Sequence, residues 1–174
     1  TTMAKVVNNL HLNIEYSIVG RFKTTNIFAN KPFEFVLADS FDDFYNCKVD
    51  ELSLSGYRLL EPATGKTYYG GWGDTITTFC GRIVMKRGFA ITPPKLQYTI
   101  NVSPVLIEAK NYMYMVDINL PTKNGSFLTL SMTDNIPERS IAIINELMHI
   151  YMSNNVENKN RMTDSTLKFI SKRI

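Results

Sequence analysis

The chain opens and closes on a helical period, with a strand period between. Met3, Val6, Val7 and Leu10 recur at steps of three and four, which predicts a short helix at the start. "LNIEYS" (Leu12 to Ser17) then alternates. So does "FEFVLAD", around Phe33, Phe35 and Leu37, after a turn at Asn30, Lys31 and Pro32, and both predict strands. "SFDDFYN" reads as a loop. From Cys47 to Lys86 the pattern stays mostly β, with turns at "PATGK" and "YGGWGD". Within it, "DTITTFCGRIVMKR" reads as a strand pair or a strand bent around Gly81. "QYTINVS" is a further strand ending at Pro104, with Ser103 placed to cap a helix in "PVLIEAKNYM". "YMVDINL" and "SFLTLSM" predict two strands joined by a turn in "PTKNG". One face of each strand is apolar, so helices are expected to cover a single side of a mixed or antiparallel sheet. The class is α+β.

The last stretch, Asn135 to Ile174, contains no glycine and no proline after Pro137. A single helix there would run about 60 Å, too long for the core of so small a domain. Asn135 and Glu138 have capping-box spacing, and Pro137 suits a first helical turn. Ile141, Ile144, Leu147, Met148 and Tyr151 then form a dense stripe expected to pack on the sheet. The same steps next meet Asn155 and Asn158, which are polar, and then Met162; Leu167, Ile170 and Ile174 resume the apolar seam. Either the chain breaks near Ser153–Asn155 and folds back, or the helix leaves the domain to meet another helix or another copy. The unbroken helix is the reading adopted. It divides the chain into a core over residues 1–152 and an outgoing arm over 153–174. Asn155, Glu157, Arg161, Met162, Leu167 and Ile170 are its candidate oligomer contacts, with Glu157 and Arg161 spaced for an i, i+4 ion pair.

Composition adds limits. Over 174 residues, 44% hydrophobic and 20% charged content describe an ordinary folded domain rather than a disordered one. The net charge of +3 comes from scattered cations such as Arg21, Lys23, Arg58 and Arg82, so no nucleic-acid partner is expected. No apolar run reaches the roughly 18 residues of a membrane span, and no signal peptide is visible. The start "TTMAKVVNN", without an initiator methionine, reads as a piece of a longer protein. Cys47 and Cys80 read as two small buried hydrophobes, with a disulfide as the alternative in an oxidising compartment. His11 and His149 are far apart in sequence, so neither a metal nor a cofactor is expected.

Three stretches imitate chemistry. "TGKT" at Thr64 to Thr67 lacks the upstream glycine of a phosphate loop, that position being Leu60, and reads as a hairpin turn. "GGWGD" at Gly70 to Asp74 lacks dinucleotide-loop spacing and reads as a sharp turn beside Trp72. Asp39, Asp42 and Asp43 sit on an apparent loop without an acid–base partner.

The C-terminal half, "SPVLIEAKNYMYMVDINL…GSFLTLSMTDNIPERSIAIINELMHIYMSNNVENKNRMTDSTLKFISKRI", resembles the periplasmic domain of polysaccharide co-polymerases, the chain-length determinants of Wzz/Wzc type. It looks closest to the version in capsular and exopolysaccharide tyrosine autokinases. The resemblance runs through Asp134 to Pro137, Asn145, Tyr151, Lys159 to Arg161, and Thr166 to Arg173. In the front half, "LHLNIEYSIVGRFKTTNIFANKPFEF" is similar to the family's entry strand and following aromatic element, with Phe28 in a tyrosine position. "GDTITTFCGRI" is similar to a glycine-flanked hairpin of the same proteins. The resemblance implies a non-enzymatic domain between two membrane helices, on the periplasmic face of a bacterial inner membrane. It implies rings that regulate the length or export of capsular polysaccharide, exopolysaccharide or O-antigen. The implied partners are further copies of the chain, a polymerase or outer-membrane export channel, and the glycan. A cytoplasmic tyrosine kinase in the parent and a continuation beyond Ile174 are also implied.

Two other classes are open on the residues. A carbohydrate-binding module would use Trp72, Tyr68 and Tyr69 as an exposed stacking platform. A polysaccharide hydrolase would set Asp42 or Asp43 against Glu51 across a cleft, about 5–9.5 Å apart.

Overall fold

The computed structural model describes residues 1–20, 23–88, 96–119 and 128–171, with the backbone alone from residue 164 on. In chain order the elements are α1 (Thr2–Asn9), β1 (Ile14–Val19), β2 (Thr24–Ile27), β3 (Phe33–Leu37), β4 (Tyr45–Asp50), β5 (Gly56–Leu60) and β6 (Thr67–Gly71). β7 (Thr75–Thr78), β8 (Gly81–Arg87), β9 (Gln97–Val102), α2 (Val105–Met115), β10 (Val116–Asn119), β11 (Thr129–Met132) and α3 (Pro137–Ser171) follow. The fold is α+β, and every strand pair among the described residues is antiparallel.

Six strands form one sheet in the order β2-β1-β9-β4-β5-β6, and three form a second, β3-β8-β7. Alternation decides which side chains meet. Tyr98, Ile100 and Val102 of β9 are buried together with Tyr45, Cys47 and Val49 of β4, and Phe33, Phe35, Ile83 and Met85 of the smaller sheet close over them. Rings join the two sheets: Phe33 lies 5.4 Å from Tyr98 and 5.9 Å from Tyr16, and Phe35 lies 6.2 Å from Tyr45. The Tyr16 hydroxyl also accepts the Phe35 N–H at 2.9 Å. The large sheet is therefore covered by a second sheet, where helices were expected. Alternation predicts that a strand buries one face and is silent about what buries it.

Glu61 joins the ends of the two sheets. Its carboxylate accepts from the Tyr45 hydroxyl at 2.8 Å, the Phe79 N–H at 2.9 Å, Thr64 at 2.9 Å and Tyr68 at 3.3 Å. Phe79 and Cys80 form the tip of the β7–β8 hairpin, so a turn of one sheet hangs on a residue at the end of the other. Burial pushes this carboxyl up, but the hydrogen bonds from Phe79, Tyr45, Thr64 and Tyr68 outweigh it and hold it below the usual value. The "TGKT" stretch closes the β5–β6 hairpin, with Gly65 at φ +68°, a conformation that side chains with a Cβ rarely adopt. Cys47 and Cys80 are free and buried, and desolvation pushes both thiols up.

The helices make a separate core. Met3, Val6 and Val7 of α1 pack with Leu12, Ala109 and Tyr112 of α2, and Ile143 and Ile150 of α3. Three local expectations change here. Pro104, with no side-chain cap, precedes α2, and Ser103 instead donates its N–H to the Asn13 carbonyl. α2 continues to Met115, so the strand in "YMVDINL" begins only at Val116; the "PTKNG" turn lies outside the described residues. At α3 the Ile136 carbonyl takes the first N–H groups, from Arg139 and Ser140, so Asn135 and Glu138 form no capping box. Asp134 supplies the anchor, accepting from the Ile136 N–H at 3.2 Å and twice from Arg139 at 2.6 Å.

The phase of α3 also differs. Ile143 is fully buried and Ile150 nearly so, with Leu147 packed beside them, whereas Ile141 is 61% exposed. "IAIINELMHIYM" carries apolar residues on two faces, and contact with α1 selects that of Ile143, Leu147 and Ile150. Ile143→Ala should therefore cost about 2–5 kcal/mol in denaturant unfolding, whereas Ile141→Ala should stay within about 0.5 kcal/mol. Glu61→Gln should lower stability by about 2 kcal/mol, because its amide cannot accept from every donor now aimed at the carboxylate. The Glu61 carboxyl is held below its unfolded value of 4.5, so its contribution is complete above that pH. It is lost as pH falls through the lower folded value, and pH-dependent melting should show that loss in the parent and not in the glutamine variant.

Candidate interaction surface

α3 starts from a rigid mount. The Asp134 side chain is 1% exposed and grips the Arg139 guanidinium through two bonds. The side-chain hydrogen bonds from Arg139 hold the Asp134 carboxyl below the usual carboxylate range, against the opposing effect of burial. Arg139 also lies 3.8 Å from the Glu15 carboxylate on β1 and 5.7 Å from the Tyr112 ring centroid on α2. The helix entry is thus fixed to the large sheet and to α2 at one point.

From there α3 runs unbroken to Ser171. Its last residue in the helical core is Ile150, and beyond it the described side chains are exposed apart from half-buried Asn154. The 21 residues from 151 to 171 span about 30 Å. Asn154, Asn155, Asn158, Asn160 and Thr163 make this a weak intrinsic helix, and an unsupported segment of that length is marginal in water.

The helix carries two apolar faces. At about 100° per residue, Ile143, Leu147 and Ile150 share the side that meets the core, and Ile141, Met148 and Met152 fall within about 40° of one another on the opposite side. Tyr151 and Val156 flank that second stripe, and all five of these side chains are exposed. α2 carries exposed apolar side chains of its own, Leu106, Ile107, Met113 and Tyr114. Twelve of the seventeen exposed large hydrophobic residues described lie from Leu106 onward, so open apolar surface is concentrated on the helical part.

Of the contacts expected from sequence, Asn155, Glu157 and Arg161 are exposed and Met162 is 72% exposed. Asn155 lies on the same side as the second stripe, within about 40° of its centre. Glu157 and Arg161 do not form the i, i+4 ion pair that their spacing suggested. Leu167 and Ile170 fall where only the backbone is described, and Ile174 lies outside the described residues. The apolar face of α2 was missed. Its apolar residues surround the helix, and only the packing of Ala109 and Tyr112 on α1 shows which side stays open.

The aromatic trio does not form a row. Tyr69 is 72% exposed, Tyr68 turns to Glu61, and the Trp72 N–H donates to the Ser53 carbonyl at 2.9 Å while its ring lies 5.3 Å from Tyr57. Two of the three carboxylates expected of a hydrolase have other engagements: Glu51 pairs with Arg58 at 2.7 Å, and Asp43 accepts the Phe44 N–H. Glu51 lines a shallow depression with Tyr69, and neither Asp42 nor Asp43 is among its walls. Among the described residues, no cluster of three His, Cys, Asp or Glu side chains is placed to hold a metal ion. No described helix is long and apolar enough to cross a membrane.

Neither a scan of protein-family models nor a search of curated proteins returns a match to this chain.

Proposed function

We propose that the chain is a non-enzymatic interaction module, the periplasmic domain of an inner-membrane polysaccharide co-polymerase acting through self-association. The observation that supports this reading is the second apolar stripe of α3, set opposite the packed one on a helix that outruns its own core. α3 serves as an arm extending from the domain, and its open face seats against the helical face of a neighbouring copy.

The seam is narrow: exposed i, i+4 pairs contribute only about 0.2–0.5 kcal/mol each, and full burial of a Met or Ile side chain about 1.5–3 kcal/mol before the cost of association. Copies held in one membrane meet at high effective concentration, which turns weak seams into cooperative assembly. Asn155, a polar residue within the stripe, favours one register over others at some cost in stability. A ring built this way would regulate the length and export of capsular polysaccharide, exopolysaccharide or O-antigen, in contact with a polymerase or an outer-membrane channel.

The test uses the membrane-anchored parent protein. Met148→Ser with Met152→Ser should leave thermal stability nearly unchanged, because both side chains are exposed. It should shift the detergent-solubilised protein towards monomers in sedimentation. In cells it should abolish the preferred length of the surface polysaccharide. A parent protein that is strictly monomeric before substitution would overturn the reading. So would an unchanged length distribution after the oligomer is lost.

A further inference from the structure

A polar cleft of about 540 Å³ lies where the helical part meets the β sandwich. Asn8 lies at the end of α1, His11 in the turn after it, Asn13 precedes β1, Lys31 and Glu34 flank the start of β3, and Lys86 belongs to β8. Some described surface groups satisfy one another: Asp39 with Arg82, Asp50 with Arg58, Asn9 with Glu146, Asn26 with Glu15. None of the six cleft side chains forms a hydrogen bond or ion pair with another described residue. Glu34 and Lys86 face each other across the β3–β8 register without closing a pair. Lys31 is half-buried, its ammonium 4.3 Å from the Tyr16 ring centroid.

Convergent polar groups that close no hydrogen bond or ion pair with one another, in a recess of a few hundred Å³ with an apolar wall, have the form of a small-molecule site. Two lysines against one carboxylate leave a net charge of +1, which selects an anion. Amides and a carboxylate beside them match hydroxyl groups, which both donate and accept. Phe41 adds an apolar surface for a ring face. We propose that this cleft binds an anionic sugar, either a sugar acid or a sugar phosphate. Lys31 and Lys86 take the carboxylate or phosphate, and Asn8, Asn13 and Glu34 take the hydroxyls. Burial pulls the Lys31 ammonium below its ordinary pKa, with Glu34 acting the other way, so an arriving anion would relieve a desolvated cation. The inference stands on the cleft and does not depend on how α3 associates.

Calorimetric titration of the whole chain with digalacturonate, glucose 1-phosphate, inorganic phosphate and neutral cellobiose tests it. Saturable binding of digalacturonate or glucose 1-phosphate is expected, the stronger of the two identifying the anion. Lys86→Gln, a change at an exposed side chain, should weaken it about tenfold, as should Asn13→Ala. Tyr69→Ala, outside the cleft, should leave it unchanged. The proposal is overturned if neither anionic sugar binds at millimolar concentration, or if cellobiose binds as well. Inorganic phosphate binding as tightly as glucose 1-phosphate would also overturn it, as would indifference to Lys86→Gln and Asn13→Ala.

Discussion

A helix of 35 residues that finds tertiary packing only over its first four turns or so constrains everything else about this chain. Backbone hydrogen bonding alone barely holds such a segment in water, and the asparagines beyond Tyr151 make it weaker still. Its open face is also apolar at Ile141, Met148 and Met152, so solvent is a poor neighbour for it. One partner surface would relieve both deficits. The Asp134–Arg139 clamp aims the helix, because a buried, doubly bonded ion pair at its entry resists swivelling where the packed part would otherwise act as a hinge.

The β part supplies the rigid base. Its two sheets interlock through rings and through Tyr16 and Glu61, whose polar atoms bridge the layers from inside. A carboxylate buried among four donors, with no cation paired to it among the described residues, is costly unless every bond is made, so the Glu61 cluster ties the hairpin tip to one position. The helical core is smaller and joins this base through the Arg139–Glu15 contact and the α1–β1 and β9–α2 connections. The polar cleft lies along that junction, between a part that is over-determined and a part that carries the arm.

Period-two alternation made most strands legible: Phe33, Phe35 and Leu37, or Tyr98, Ile100 and Val102, mark a buried face without ambiguity. What lies over that face was not legible, since helices and a second sheet bury an apolar face equally well. The phase of α3 failed for a related reason. Ile141, Ile143 and Ile144 offer two overlapping stripes, and only α1 decides between them. The aromatic trio looked like a platform because Tyr68 and Tyr69 are adjacent in sequence, but adjacent strand residues point to opposite sides. The cleft left no sequence signal at all, because the six polar residues named for it come from three separate segments.

The most direct measurement is amide hydrogen exchange across residues 151–163 as protein concentration is raised. If the second stripe of α3 is completed by another copy, protection there should rise with concentration while the amides around Ile143 stay protected throughout. Exchange in the arm that is fast at every concentration, or slow even in dilute monomer, would contradict the proposal that association completes this helix.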